Sequence, residues 1–340
     1  MKIAILADLH FGVRSDSEYF RNEFKIFLDE QFFPYVIDND IKTLWILGDI
    51  FERRKFIEYK TLDFARYFFN KLKENDISVY IVVGNHDVYY KNTLELTSIK
   101  LLLDEYDNIT YSLQPKEYIF DGENVLFVPW ICSENYDECM DAVRNSDSRI
   151  CCGHFEFIGF KINKFSTSKH GIDYKLFRKF DKVLTGHFHI KSEMDNVLYV
   201  GSPMQTSWND YGTCKGFHIY DTKDKSLEFV KNKRESFVVV KTPEDINDSL
   251  KDKLVRVLVE DYKKSDDIVK KISEHNPQDV KVICTNSLFK REVNDDTVEV
   301  DLLDTKKVII DNANKYLRDG MSIDKMKGIL EELFAQTKKD

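Results

Sequence analysis

Five short apolar runs in the first part of the chain each break off into the same kind of polar cluster. Ile3–Ala7 runs into Asp8-Leu-His10-Phe-Gly12, and Leu44–Leu47 into Gly48-Asp49. Val79–Val83 runs into Gly84-Asn85-His86-Asp87, Ile150–Cys152 into Gly153-His154, and Val183–Leu184 into Gly186-His187-Phe-His189. Short apolar, β-branched runs of this kind are read as strands. Two more, Val125–Val128 and Val197–Val200, fit the same rhythm. Between the early runs lie amphipathic stretches that predict helices around Asn22–Ile37 and Lys60–Asn75. A β-α-β-α-β order of this kind predicts a layered α/β core. Open α/β sheets bind ligands at the carboxyl ends of their strands, so the five polar clusters are expected to meet in one crevice.

The residues in that crevice have the chemistry of metal ligands. Five of the eight histidines lie in these clusters, together with Asp8, Asp49 and Asn85. Mixed oxygen and imidazole donors without thiolate suit a divalent ion such as Mn²⁺. Two ions about 3.5–4 Å apart call for a bridging carboxylate. Asp8 and His10 are two residues apart, so a turn at the strand end can aim both at one ion. His187 and His189 have the same spacing and can serve two ions separately. Glycines before Asp49, Asn85, His154 and His187 permit tight turns and close approach of backbone to ligand. One such His or Asp alone would be an ordinary structural residue, but five strand-end clusters in series are not a coincidence. His218 and His275 stand outside the pattern and are read as structural. His170 precedes Gly171 in a basic loop, where it can reach toward a substrate.

At 340 residues the chain is too long for one small domain. Apolar residues at 42% supply packed cores, and charged residues at 32% supply a polar surface. No stretch approaches the ~18 apolar residues of a membrane span. The apolar start, Met1–Ala7, ends at Asp8 and lacks the length of a leader, so a cytoplasmic protein is expected. The six cysteines include no C-x-x-C pair, which argues against a zinc knuckle or redox motif. Cys151 and Cys152, inside an apolar run, are expected to be reduced core residues. A net charge of −9 argues against a general DNA-coating protein, although an Asp-rich site lowers the charge of any metal enzyme before its ions bind. Basic clusters stand out at Arg53-Arg54-Lys55, at Lys161, Lys164 and Lys169, and at Lys231–Arg234. Taken singly, each is an ordinary solvated face.

The character of the chain changes around 235–242. Leu254–Val259, Asp266–Glu274 and Val280–Cys284 predict a small β-α-β unit, punctuated by Pro277. An acidic stretch, 294–299, precedes two predicted closing helices. The first, 303–318, ends at Gly320. The second has Ser322 as N-cap and an apolar stripe of Ile323, Met326, Leu330, Leu333 and Phe334.

The five motifs, in this order, resemble the calcineurin-like metallophosphoesterase superfamily. Gly84-Asn85-His86-Asp87 and Gly186-His187-Phe-His189 are its most specific marks. Gly48-Asp49-Ile-Phe51, Tyr199-Val-Gly201-Ser202-Pro203 and the C-terminal layout resemble its DNA double-strand-break repair branch, the SbcD-type exonucleases. Within that branch the sequence is most similar to the nuclease subunits of phage recombination endonucleases. The resemblance covers the first ~235 residues. It implies that Asp8, His10, Asp49 and His189 hold one metal, and that Asp49, Asn85, His154 and His187 hold the other. His86 is implied to stabilise the phosphate and protonate the leaving oxygen. Asp87 is implied to orient His86. Arg53, Arg54, Lys55, Lys169 and His170 are the candidate DNA contacts. Glu52 stands where the family often has Asp, and little effect is expected because the charge is kept.

The fold class implied is α/β: a layered metallophosphoesterase core, sheets flanked by helices, with a small α+β capping domain and a C-terminal helical hairpin. The implied division is 1–235 for the nuclease domain, 236–300 for the cap and 301–340 for a segment that docks an SMC-like coiled-coil ATPase. The implied activity is a Mn²⁺-dependent DNA nuclease, 3′–5′ exonuclease and single-strand endonuclease, with Mg²⁺ as the other candidate ion. A homodimer through the early helices, within a heterotetramer, is also implied. A phage origin would place it in the bacterial host's cytoplasm. The metal motifs alone also permit a phosphoesterase for a phosphoprotein or a cyclic nucleotide, and a scaffold that binds without hydrolysis. Deleting 303–340 is expected to abolish co-purification with the ATPase while leaving metal-dependent hydrolysis. Unchanged binding of the partner would show that the closing helices only pack against their own chain.

Overall fold

The computed structural model describes residues 1–260 and 265–285. The closing helices expected over 303–340 and the acidic stretch before them lie outside the described residues.

The predicted strands divide between two six-stranded sheets. In the first, β1 (Lys2–Leu6), β2 (Thr43–Leu47), β3 (Ser78–Val82) and β4 (Ile109–Tyr111) pair in parallel. On the other side of β1, β11 (Gly216–Asp221) and β12 (Leu227–Lys231) add antiparallel strands. The second sheet runs β5 (Lys116–Phe120), β6 (Glu123–Val128), β7 (Ile150–His154), β8 (Lys182–Gly186), β10 (Val197–Tyr199) and β9 (Ser192–Met194). Strands β6, β7, β8 and β10 are parallel.

Alternate side chains of each central strand face different cores. From β1, Ile3, Ile5 and Ala7 enter the layer between the sheets, where they meet Trp45, Leu47, Phe127, Ile150, Cys152 and Leu184. Ala4 and Leu6 point the other way into a core rich in phenylalanine. That core is closed by α1 (Glu18–Phe27) and by α3 (Tyr59–Glu74). On the far side of the second sheet, Leu126, Val128, Cys151 and Val183 pack under α5 (Tyr136–Asn145) and a group of aromatic loop residues. Layers therefore run helix, sheet, sheet, helix, as the α/β reading of the sequence expects. With both faces of both sheets covered, the strands read as continuous apolar runs.

The helix expected at Asn22–Ile37 is interrupted. After α1 the chain makes a π-helical turn at Leu28–Phe32 and continues as α2 (Phe33–Asp38). Pro34, which has no N–H to donate, sits where the turn changes. A short α4 (Ser98–Leu103) starts at Thr97, whose hydroxyl accepts from Lys100 N–H at 3.2 Å.

After residue 236 the expected β-α-β unit is present with one strand more. β13 (Phe237–Val240), β14 (Leu254–Val259) and β15 (Asp279–Cys284) form a parallel sheet, and α6 (Ser265–Ser273) lies between the last two in the chain. Val255, Val257 and Ile272 share its small core. Among the described residues no helix is long and apolar enough to cross a membrane.

Phe68 in α3 is fully buried, with ring centroids 5.1–6.4 Å from Phe69, Phe11, Phe33 and Phe32. Phe68→Ala is expected to cost about 3–5 kcal/mol. Urea unfolding should show the midpoint falling; a shift under ~1 kcal/mol would mean that this core can collapse around the gap.

Candidate metal centre

The five polar clusters meet at one end of the two sheets, with ligands drawn from both. β1, β2 and β3 of the first sheet deliver Asp8, His10, Asp49 and Asn85. β7 and β8 of the second deliver His154, His187 and His189. The convergence that the sequence predicts is present, and it is built across two sheets. Because the sheets face each other, ligands arrive at the centre from two sides.

The strand ends turn sharply to make this possible. Asp8 (φ 53°), His10 (φ 46°), Asp49 (φ 54°) and His187 (φ 94°) all adopt the left-handed region. Such backbone is costly away from glycine and is held only where surroundings over-determine it. Backbone bonds supply that support: Asp8 N–H to Gly48 O and His10 N–H to Asp49 O, each 3.0 Å. Gly48 (φ +88°) leaves no alternative, because a Cβ there would lie 2.4 Å from His154 Nδ1.

Two groups of donors result. Asp8, His10 and His189 place one atom each within 4.8 Å of one another, and so do Asp49, His154 and His187. Asp49 Oδ2 lies 3.2 Å from His154 Nε2 and 3.7 Å from His10 Nε2, so one oxygen faces both groups. Asn85 Oδ1 joins the second group, 3.0 Å from His154 Nε2 and 2.9 Å from His187 Nδ1. All seven residues that the sequence singled out as ligands are therefore in the cluster. A third close group is His10, Asp49 and His86, which sets His86 against both ligand groups.

The donor set fits a pair of divalent cations. Asp8 Oδ1 accepts the His187 N–H at 2.9 Å, while Oδ2 is buried without a hydrogen-bond partner. His10 Nε2 and His189 Nε2 stand 3.0 Å apart, two ring nitrogens aimed at one point. A proton on His10 can fill that gap, and so can a metal ion that takes both nitrogens as ligands. His154 Nδ1 donates to the Leu47 carbonyl at 2.7 Å, which leaves Nε2 for the site.

Glu52 does more than keep a charge. Its Oε2 is 2.7 Å from His10 Nδ1, and its carbonyl oxygen is 2.5 Å from His86 Nδ1. One residue thus lies against a candidate ligand and the residue expected to transfer a proton. The motif showed that a carboxylate follows Gly-Asp-Ile-Phe, but not that it bends back onto His10. Asp87, expected to orient His86, has its carboxylate on three backbone N–H groups instead: Gly84, Asp49 and Ile50, each at 2.9 Å. The orienting contact to His86 is the Glu52 carbonyl. Trp130, which drew no attention in the sequence, lies with its ring 5.4 Å from His187 and 6.0 Å from His154. No motif marks it; it reaches the site from the loop after β6.

The candidate DNA contacts are spread around this centre. Arg53 and Lys55 are exposed and Arg54 is half-buried, directly after Glu52. Arg53 donates to Ser15 Oγ at 3.0 Å and covers the Phe56 ring. Lys169 and His170 are exposed on a loop whose Ile162 and Asn163 line a cavity of about 180 Å³ with His187 and His189. His218 is buried on β11 beside Phe229, and His275 pairs with Asp248; neither belongs to the centre.

The sequence model of the family "Calcineurin-like phosphoesterase" matches residues 1–240. The chain belongs to the calcineurin-like phosphoesterases. Over 234 residues it is 36% identical to "Exonuclease subunit 1" of Enterobacteria phage T4, covering 68% of each chain. It is 26% identical over 298 residues to "DNA double-strand break repair protein Mre11" of Methanocaldococcus jannaschii, covering 82% of this chain and 74% of that one. It is 21% identical over 271 residues to a component of the nuclease SbcCD of Staphylococcus epidermidis, covering 67% of each. The phosphoesterase is a hydrolase with a metal-binding centre, and its family uses divalent ions.

Burial and mutual charge set the protonation of the metal-free phosphoesterase. Burial raises Asp8 to about 6 against the pull of His154. Burial, with the charge of Asp49, raises Asp87 to about 7. Burial opposes ionisation of Asp49 too, but the facing His154 holds it well below the usual carboxylate range. Burial works to lower His10 and His154 as well. Glu52 overcomes it at His10 and Asp49 overcomes it at His154, so both rise to about 9. Burial pushes His187 and His189 down to about 3, helped by the charges of His154 and His10 respectively. At pH 7.5 His10 and His154 therefore carry protons that a metal must displace. Loading with Mn²⁺ is expected to release about two protons and to tighten as pH rises from about 6 to about 9. Calorimetry in buffers of different ionisation enthalpy reads this directly; zero release at pH ~7.5 would contradict it.

Proposed function

We propose that this phosphoesterase is a Mn²⁺-dependent DNA nuclease, a 3′–5′ exonuclease and single-strand endonuclease that works with an SMC-like ATPase in DNA end processing. The observation that carries this reading is the 36% identity to a phage exonuclease subunit, in a chain whose seven expected donors meet at one centre. Two further relatives bear nuclease or double-strand-break repair names. In this reading 1–235 is the nuclease domain, 236–300 caps it and recognises DNA, and 301–340 docks the ATPase. Homodimerisation through the early helices within a heterotetramer, and action in the cytoplasm of a bacterial host, belong to the same proposal.

Asp8, His10, Asp49 and His189 would hold one ion, and Asp49, Asn85, His154 and His187 the other. When bound, the pair supplies Lewis acidity toward the phosphate and an activated water, with Mn²⁺ favoured by the mixed oxygen and imidazole donors. The chain's own groups do the rest. With Nδ1–H fixed on the Glu52 carbonyl, His86 presents Nε2 to the site. Burial lowers its pKa in the free protein, so Nε2 would hold the proton it passes to the leaving oxygen only with an anionic phosphate beside it. The His86 N–H holds Asp49 Oδ1 at 2.8 Å, so the shared carboxylate is fixed by the same residue. Asp87 keeps the two turns that carry Asp49 and His86 in register. Arg53, Arg54, Lys55, Lys169 and His170 would line the path of the phosphate backbone, offsetting an acidic surface that otherwise repels it.

The test is cleavage by the purified chain, with Mn²⁺ or with chelator, of end-labelled DNA, a phosphopeptide and a cyclic nucleotide. DNA shortening that needs Mn²⁺ is expected, with His86→Ala reducing it at least ~100-fold while Mn²⁺ still binds. Asp49→Ala should lose both binding and cleavage. Hydrolysis confined to the phosphopeptide or the cyclic nucleotide would keep the metal centre and overturn the DNA assignment.

A further inference from the structure

Directly behind His189 lies an ion pair that the reaction does not use. Lys215 and Asp210 are each 3% exposed. Lys215 Nζ is 2.5 Å from Asp210 Oδ1. The same ammonium donates to the carbonyl oxygen of His189 at 2.7 Å and to Ser202 Oγ at 2.9 Å. The His189 carbonyl also accepts the Ser202 N–H at 3.2 Å. On the other side, Asp210 Oδ2 accepts the N–H groups of Thr206 and Ser207, each at 3.0 Å. Every oxygen of the acid and three directions of the ammonium are thereby committed.

A buried ion pair is a poor way to gain stability, because desolvation takes back most of the attraction. Apolar side chains of the same volume would fill this space at no such cost. What an apolar pair cannot do is grip a carbonyl oxygen. The gripped carbonyl belongs to His189, whose ring nitrogen must stay within ligand distance of His10 and Asp8. Gly201 (φ +75°) is part of the same grip: a Cβ there would stand 2.8 Å from Lys191 N and 3.1 Å from His189 O.

We propose that Lys215, neutralised and aimed by Asp210, is a positioning residue for the metal site that contains His189. It touches neither substrate nor ion. It fixes the backbone of one ligand, and so sets the affinity of one of the two ions while leaving the other alone. Partners that hold a metal ligand from behind typically account for about 10–100-fold in metal affinity. The ammonium also bridges two separate turns, Gly186–His189 and Gly201–Ser202. Ser202 lies in the Gly-Ser-Pro block, whose place in the sequence suggested family membership but no task. On this proposal the block's task is to seat the Lys215 grip.

The inference rests on His189 holding a metal, and the experiment separates the two claims. Mn²⁺ alone is titrated calorimetrically into the full chain. In Lys215→Met one of the two ions is expected to bind about 10–100-fold more weakly, with the other changed less than about twofold. Lys215→Arg, which keeps the charge, should recover part of the loss. The double variant Asp210→Asn with Lys215→Met removes the stranded acid. It should regain the melting temperature of the metal-free protein while its weak ion stays weak. His189→Ala marks the site, and should lose the same ion. Wild-type binding of both ions in Lys215→Met overturns the proposal, as does weakening of both ions together that the double variant restores. If His189→Ala still binds both ions normally, the ligand assignment falls, and the proposal with it.

Discussion

Three backbone N–H groups, from Gly84, Asp49 and Ile50, converge on the carboxylate of Asp87. Most of the centre depends on this contact. It ties the end of β2 to the end of β3 at a point where both strands have stopped pairing. Around it, the turn after β1 is zipped onto the turn after β2 by the bonds Asp8 to Gly48, His10 to Asp49 and Phe11 to Ile50. The resulting frame forces left-handed backbone on Asp8, His10 and Asp49, which no one of these residues would choose alone. A carboxyl group suits the task, since its two oxygens can accept several N–H groups at once.

The frame crowds acids and imidazoles into a buried space. Asp8, Asp49 and Asp87 are each no more than 2% exposed. Burial raises the pKa values of Asp8 and Asp87, and the charge of Asp49 raises them further. Without metal the site settles by dividing its protons. Asp49 stays ionised, His10 and His154 become cationic, and His187 and His189 stay neutral. Divalent ions bound there would replace those protons with fixed positive charge. Glu52 and the Lys215–Asp210 pair then act at the two ends of one ligand group, one behind the His10 ring and one behind the His189 backbone.

Rigidity for so crowded a centre comes from the layers beneath it. Between the sheets Trp45 packs edge-on to Phe120 and Phe127, and outside them a continuous set of phenylalanines locks α1 and α3 onto the first sheet. Interiors of this density transmit small displacements rather than absorb them. Ligand atoms about 3 Å apart, contributed by two different sheets, would otherwise drift out of register.

The sequence by itself determined the strands that end in the polar clusters, the order of the motifs and the identity of the donors. Each is a local property: an apolar run closed by a glycine and a polar residue can be read without knowing what it meets. The seven candidate ligands stood out because their residue types are rare in such series. The tertiary structure alone decided how the runs divide between two facing sheets. A strand covered on both faces looks the same wherever it lies, so the apolar pattern carries no record of which sheet it joins. The same limit hid the supports of the site. Asp87 was marked by its motif but given the wrong neighbour. Glu52 was counted as a charge, and Trp130, Asp210 and Lys215 were not counted at all. Their roles rest largely on contacts between residues tens of positions apart, such as Glu52 with His10 and Lys215 with His189, and those distances exist only once the chain has folded.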